Sequence, residues 1–207
     1  MVLVHRVFRR ELQLLPALVR AVPAGDVARA EVVGAHLHSI ATALHHHHSG
    51  EDQLLWPLLL ERAVEHTDLI RRMEAQHDSL HQPLARIAEL NPRWRRLAAA
   101  ADRDELADVL DRASASVDEH LTDEEELLLP LVPEFVTQRE WDALGKHGRD
   151  GTPKGKPLLL FLGAILEDAT PAERQRFLGQ MPPPVRLIWR LLGDRLYRRT
   201  RDRVRAG

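Results

Sequence analysis

The sequence HHSGEDQLLWP, residues 47–57, recurs in related form as HLTDEEELLLP, residues 120–130. Each copy begins with His-x-x-x-Glu and continues with an acidic residue, a variable residue, two leucines, an apolar residue and proline. Residues four apart lie on one face of an α-helix, so His47 and Glu51 point the same way, as do His120 and Glu124. An imidazole and a carboxylate presented together suit a divalent transition metal ion. The repeated stretch therefore predicts two halves of one metal site.

Three further histidines join these pairs. His77 and His81 repeat the four-residue spacing between the two copies, and His5 lies on the apolar stripe of the first helical pattern. Burying any of these seven ionisable residues without a partner is costly. A single His–Glu pair on a helix face occurs often by chance, whereas seven such residues on four apolar stripes would be satisfied together by one metal cluster. We therefore predict a buried metal centre.

Four segments place apolar residues at alternating spacings of three and four, which is typical of amphipathic helices. Leucine and alanine dominate over the β-branched residues, as helices favour. The prediction is an all-α protein with an up-down-up-down four-helix bundle over residues 1–133 and a helical extension over 134–207. Within the bundle we expect Pro16 to kink or end the first helix, Asn91-Pro92 to end the third, and Asp102 to Glu105 to cap the fourth.

The extension contains capping boxes that begin at Thr137 and Thr170, and an apolar face at Leu187, Ile188, Leu191, Leu192 and Leu196. Eight arginines lie between Arg186 and Arg205. Such a helix could meet a membrane surface or RNA. Its interleaved apolar face more often packs on its own bundle or on a second subunit, so we expect a lid or a homodimerisation element, with neither a membrane nor a nucleic-acid partner.

Composition narrows the functional classes. With 207 residues the chain can hold one substantial core and an extension, and its net charge of −2 gives no general attraction to nucleic acid. The absence of cysteine excludes disulfides, thiolate chemistry and iron–sulfur clusters. The N-terminus lacks the pattern of a signal peptide, and the longest apolar run, residues 158–166, is too short to span a bilayer. We therefore expect a cytoplasmic protein.

From residue 1 to 133 the pattern of histidines and glutamates resembles the hemerythrin family, including the bacterial proteins with the HHE cation-binding domain. The resemblance implies a di-iron centre with an oxo or hydroxo bridge, in which Glu51 and Glu124 bridge the two ions. By the same resemblance the histidines divide into two sets, one iron being held by His77, His81 and His120 and the other by His5 and His47. The invertebrate oxygen carriers have a longer His-to-Asp spacing on the last helix, so Glu124 follows the HHE form.

Six-coordinate irons would need about twelve ligand positions, and these side chains with the bridging oxygen supply all but one of them. An open position favours a protein that binds dioxygen, nitric oxide or peroxide. The first alternative is an enzyme that removes peroxide or nitric oxide, and the second is a module that senses iron or redox state through the extension. His45, His46 and His48 are expected in solvent, with contacts behind the ligands or a role in proton transfer as the less favoured alternative. Asp52 and Glu125 are expected around the ligands or at the surface.

Overall fold

The computed structural model describes residues 1–152 and 154–206. These residues form helices joined by short turns, and no β-strand occurs among them. They divide into two compact units: one comprises Phe8–Gly151, and the other combines Met1–Val7 with the described residues from Thr152 onward.

The larger unit contains the four long helices of a bundle and several short ones. The long helices are α1 (Val2–Arg20, whose first residues belong to the smaller unit), α2 (Val27–Leu54), α4 (Thr67–Leu97) and α5 (Ala100–Asp123). The short segments are α3 (Trp56–Arg62), a 3₁₀ turn (Val64–His66), a π-helical turn (Glu124–Leu128), α6 (Val132–Phe135) and α7 (Gln138–Asp150). This arrangement confirms the predicted all-α bundle with a helical extension.

The core of the larger unit follows the predicted stripes. Phe8, Leu12, Leu15 and Val19 of α1 are at most 1% exposed, and the same is true of Val33, Leu37 and Leu44 on α2. On α4 and α5 the buried apolar positions again recur at three and four residues. Burial of these stripes is what holds the helices together, since helical propensity alone leaves isolated segments marginal. The ionisable residues of the site lie on the same stripes.

The expected helix ends within the bundle are partly wrong. Pro16 lies inside α1, and α4 continues through Asn91 and Pro92 to Leu97. Tertiary contacts outweigh the lost hydrogen bond at Pro92, because the buried Asn91 amide donates to the carbonyl oxygen of Gly34 at 2.9 Å and Trp94 is fully buried.

The predicted cap at residues 102–105 is also wrong, because α5 begins at Ala100. Asp102 lies inside its first turn and accepts a hydrogen bond from Arg93 at 2.9 Å instead of capping the helix. The capping box at Thr137 is confirmed, since its side chain accepts from the backbone N–H of Glu140 and the Glu140 side chain accepts from the Thr137 backbone.

The smaller unit contains α8 (Lys156–Glu167), α9 (Pro171–Gly179), α10 (Pro183–Ile188), a π-helical turn (Trp189–Gly193) and α11 (Asp194–Arg205). The predicted capping box at Thr170 opens α9. On α8 the Glu167 carboxylate accepts hydrogen bonds from Tyr197 at 2.5 Å and Arg205 at 2.8 Å. Gly163 permits the ring of Tyr197 to lie against α8, since a Cβ at this position would fall 2.2 Å from Cγ of the ring.

The predicted apolar face of the last segment does not form the packing face of this unit. The segment buries Trp189, Gly193, Tyr197 and Val204, while Leu187, Ile188, Leu191 and Leu192 are between 46% and 66% exposed. The close approach of Tyr197 to Gly163 selects the buried face and leaves the leucines outside. Among the described residues, no helix combines the length and apolar character that a membrane span requires.

Candidate metal centre

Glu51 on α2 lies between two histidines of the same helix. Each residue of an α-helix advances by about 100°, so Glu51 lies about 40° past His47 and about 60° before His48 around the axis. Its Oε1 is 3.3 Å from Nε2 of His47, and its Oε2 is 3.6 Å from Nε2 of His77 on α4. The two oxygens of this carboxylate therefore face different histidines.

The rings of His77 and His120 meet beside Glu51. Their Nε2 atoms are 3.0 Å apart, and both side chains are at most 2% exposed. Two nitrogens bound at right angles to one metal ion, each about 2.1 Å from it, would also be about 3.0 Å apart. The separation of the two nitrogens thus fits adjacent ligands of one ion.

The hydrogen-bond partner of Nδ1 in each ring determines which ring nitrogen carries the proton. Nδ1 of His77 lies 2.7 Å from the Asp52 carboxylate, which can only accept, and Trp56 donates to the same oxygen at 3.0 Å. Nδ1 of His120 lies 3.2 Å from Oε1 of Gln76, whose amide nitrogen donates to Asp123 at 2.7 Å. Both Nδ1 atoms therefore donate, and both Nε2 atoms present lone pairs to each other. A cation held between the two nitrogens would be bound by both lone pairs.

The contact with His77 also affects the pKa of the Asp52 carboxyl. Burial is the largest single influence and would raise its pKa, but the contacts with His77 and the hydrogen bond from Trp56 together outweigh burial, and the pKa of Asp52 is lowered. The ionised carboxylate then holds the His77 ring in one tautomer and orientation, as carboxylates do behind metal-binding histidines. The expectation that Asp52 lies around the ligands agrees with this contact. Glu125 instead accepts a hydrogen bond from Arg9 at 2.8 Å.

The buried carboxylates provide a second test of fit. Glu51 is fully buried, and neither of its oxygens accepts a hydrogen bond from any residue that the structure describes. Burial, together with repulsion from Glu124 and Asp52, raises the pKa of Glu51 well above its ordinary value. Burial likewise raises the pKa of Glu124 to about 8. Buried carboxylates of this kind are accommodated when a metal ion binds them, so the donor set fits a divalent cation.

A π-helical turn follows directly after α5 and begins at Glu124. The backbone N–H of Leu129 donates to the carbonyl oxygen of Glu124 at 2.8 Å, five residues back, where a regular helix would bond four residues back. Within the preceding turn Oε2 of Glu124 stays 3.9 Å from Nε2 of His120. Turns of this type are frequent at functional sites, and the sequence spacing does not reveal it.

Two groups of candidate ligands result. Atoms of His48, Glu51, His77 and His120 all lie within 4.8 Å of one another, and so do atoms of His47, Glu51 and Glu124. Glu51 is common to both groups. His5 belongs to the stretch Met1–Val7, which groups with the smaller unit, and its side chain is fully buried.

The structure departs from the sequence-based assignment at His81 and His48. The His81 side chain is 68% exposed and its Nδ1 lies 3.8 Å from Asp78, outside both groups. The buried stripe of α4 runs through Met73, His77 and Leu80 and turns away from His81, which lies about 40° past His77 on the other side. His48, expected in solvent, is 6% exposed.

The other neighbours of His47 agree better with expectation. His45 is exposed and His46 is half-buried. Trp56 and Gln76 were not singled out from the sequence, although Trp56 lies one helical turn after Asp52 and Gln76 lies next to His77. A search for donors and acceptors beside the predicted ligands would have found both.

A helical bundle whose buried imidazoles and carboxylates converge on shared points defines a metal-binding helical domain. The family model for the hemerythrin HHE cation-binding domain matches residues 1–132. The chain belongs to this family, whose domains bind metal ions, typically iron. Comparison with curated proteins and with solved structures gave no match.

Proposed function

We propose that this protein holds two iron ions, joined by an oxo or hydroxo bridge, and binds dioxygen or a related small molecule such as nitric oxide or peroxide. The observation that carries the proposal is the pair of Nε2 atoms of His77 and His120, which lie 3.0 Å apart beside the buried Glu51 carboxylate. The family relationship supports iron as the metal.

Glu51 and Glu124 are the proposed bridging ligands. His77 and His120 would hold one ion, and His47 would hold the other. Glu51 suits a bridge because its two oxygens face His47 and His77 separately.

His5 is the proposed second histidine of the His47 ion. It lies three residues before Phe8 on the continuous helix α1, and therefore on the same side of that helix. The ring of Phe8 lies 5.3 Å from the ring of His47. Together with the complete burial of His5, this helix geometry supports the assignment.

When bound, the two ions supply redox electrons and a coordination position for a small molecule. The protein side chains fix the tautomers of His77 and His120 through Asp52 and Gln76, and they exclude bulk water. His47 is 10% exposed while Glu51 and Glu124 are fully buried. Because the cluster is buried, diatomic molecules and peroxide would reach it more readily than larger substrates. A histidine-rich ligand set also favours binding over oxidation of strong C–H bonds.

The test is an iron analysis combined with optical spectra of the purified protein under nitrogen after reduction, in air, and again under nitrogen. Two irons per chain with spectral changes that reverse when dioxygen is removed would support oxygen binding. Irreversible oxidation with rapid consumption of peroxide or nitric oxide would support the alternative function, an enzyme that removes these molecules. Purified and iron-reconstituted protein that holds no iron would overturn the proposal.

We also propose that the extension forms a homodimer contact. Its exposed apolar residues Leu187, Ile188, Leu191 and Leu192 support this assignment, because neighbouring large apolar side chains in solvent are typical of protein interfaces.

A further inference from the structure

We propose that His48, and not His81, is the third histidine ligand of the ion held by His77 and His120. This inference rests on the proposed metal centre and specifies one of its ligands. It concerns the position at which the structure and the His-x-x-x-His spacing disagree.

His48 lies in direct contact with both partner rings. Its ring is stacked on that of His77, with centroids 4.1 Å apart and planes inclined by 21°. It meets the ring of His120 edge-on at 5.2 Å. A ligand atom of His48 lies within 4.8 Å of ligand atoms of Glu51, His77 and His120. Small side-chain adjustments would therefore bring all four donors to one ion.

The helix geometry of α2 explains how adjacent histidines can serve different ions. His47 and His48 are separated by about 100° around the helix, and Glu51 lies between them. A bridging carboxylate at Glu51 would thus have a histidine of its own helix on each side. The spacing of three residues from His48 to Glu51 places both on one face as effectively as the spacing of four from His47.

His81 lacks these properties. Its side chain is 68% exposed beside Asp78, whose side chain is 80% exposed. A rotation of α4 that turned His81 toward the cluster would withdraw the fully buried side chains of Met73 and Leu80 from the core. His48 reaches the same place without disturbing the core.

The absence of cysteine from the chain permits a direct test of ligand identity. In the full-length His48→Cys and His81→Cys variants, a thiolate that binds cobalt(II) adds a near-ultraviolet thiolate-to-cobalt charge-transfer band that the wild-type protein cannot produce. We expect this band in His48→Cys and not in His81→Cys. Circular dichroism of both variants establishes that they retain the helical fold.

Iron content provides the second readout. His48→Ala should bind iron at least about 100-fold more weakly at one of the two positions, since even changes behind the ligands cost about 10–100-fold. His81→Ala should retain the iron content and spectrum of the wild type. A thiolate band in His81→Cys, or no band in a folded His48→Cys, would overturn the inference, as would iron loss in His81→Ala. Wild-type protein without iron would instead refute the proposed function.

Discussion

Replacement of Glu124 by glutamine should have opposite effects on the metal-free and iron-loaded protein. Glu124 is fully buried, and burial raises its pKa from 4.5 to about 8, with further repulsion from Glu125. Between these two values the unfolded chain releases a proton that the folded chain retains. The unfolding free energy of the metal-free protein therefore falls as pH rises through this window.

The size of the effect follows from the shift. At pH 7 the solution is about 2.5 pH units above the pKa of this carboxyl in the unfolded chain. Keeping the carboxyl protonated therefore lowers the stability of the folded protein by about 3 kcal/mol at pH 7, and by about 1 kcal/mol at pH 5. Glutamine has nearly the same shape and does not ionise. Metal-free Glu124→Gln should therefore exceed the wild type in unfolding free energy by up to about 3 kcal/mol at pH 7, and by less at pH 5.

Urea unfolding of chelator-treated protein, followed by circular dichroism at both pH values, measures this difference. Glu126→Gln is the matched control because Glu126 lies exposed in the same π-helical turn, and its change should stay within about 0.5 kcal/mol. A metal-free Glu124→Gln protein that is less stable than the wild type at pH 7 would refute the reasoning. So would a stability difference that is the same at both pH values.

In the presence of iron, the wild-type protein should be more stable than Glu124→Gln. A ligand at about 1,000 times its dissociation constant stabilises the folded state by about 4.1 kcal/mol, which exceeds the advantage of about 3 kcal/mol expected for metal-free Glu124→Gln, and only a protein that binds the ligand gains this stabilisation. Glu124→Gln lacks one proposed bridge and should lose most of its iron and most of the iron-dependent rise in melting temperature. Wild-type iron content in this variant would exclude Glu124 as a bridging ligand.

Three further predictions concern other parts of the chain. Asp52→Asn should weaken iron binding about 10–100-fold, because the amide no longer enforces the Nδ1–H tautomer of His77; unchanged affinity in a metal titration would show that Asp52 does not orient the ring. Glu11 is 2% exposed and accepts from Arg10 and His36 at 2.8 Å, and the favourable contacts outweigh burial to lower its pKa to about 2. Glu11→Gln should therefore destabilise the protein by about 3 kcal/mol at pH 7, and this loss of stability should shrink as pH falls from 4.5 toward 2. A loss of stability that is constant with pH in urea titrations would contradict the lowered pKa of Glu11. Leu191→Glu with Leu192→Glu should convert the proposed dimer to monomer in sedimentation experiments, while Lys154→Glu outside this apolar face should not; a wild-type monomer at all concentrations would refute the proposed interface.

The repeated His-x-x-x-Glu spacing was sufficient to predict a buried metal centre, because the spacing places each pair on one face of its helix whatever the neighbouring helices do. Glu51 and Glu124 are fully buried, as the stripes of α2 and α5 require. The assignment of His81 used the same spacing, but spacing fixes only that two residues share a side of the helix. How far that side extends into the core depends on the rotation of α4, which its large apolar residues determine together.

The helix ends show the same limit. Asn91-Pro92 resembles a terminator because proline removes a hydrogen bond, and the local cost is real. The helix nevertheless continues, since Asn91 bonds Gly34 on α2 and Trp94 is buried one turn later. Contacts between residues far apart in sequence decided the outcome, and no local pattern contains them. The two capping boxes at Thr137 and Thr170 were predictable because their hydrogen bonds lie within four residues.

The two copies of the repeated stretch each supply a bridging carboxylate candidate and, beside it, an acid that orients a histidine. In the first copy Asp52 follows Glu51 and accepts from His77. In the second copy Asp123 precedes Glu124 and acts through the Gln76 amide on His120. Adjacent helical residues point about 100° apart, so an acid next to a buried glutamate faces the rim of the cluster and not its centre. Each copy can therefore fix the proton on a ring nitrogen from outside while its glutamate remains available to the metal from inside.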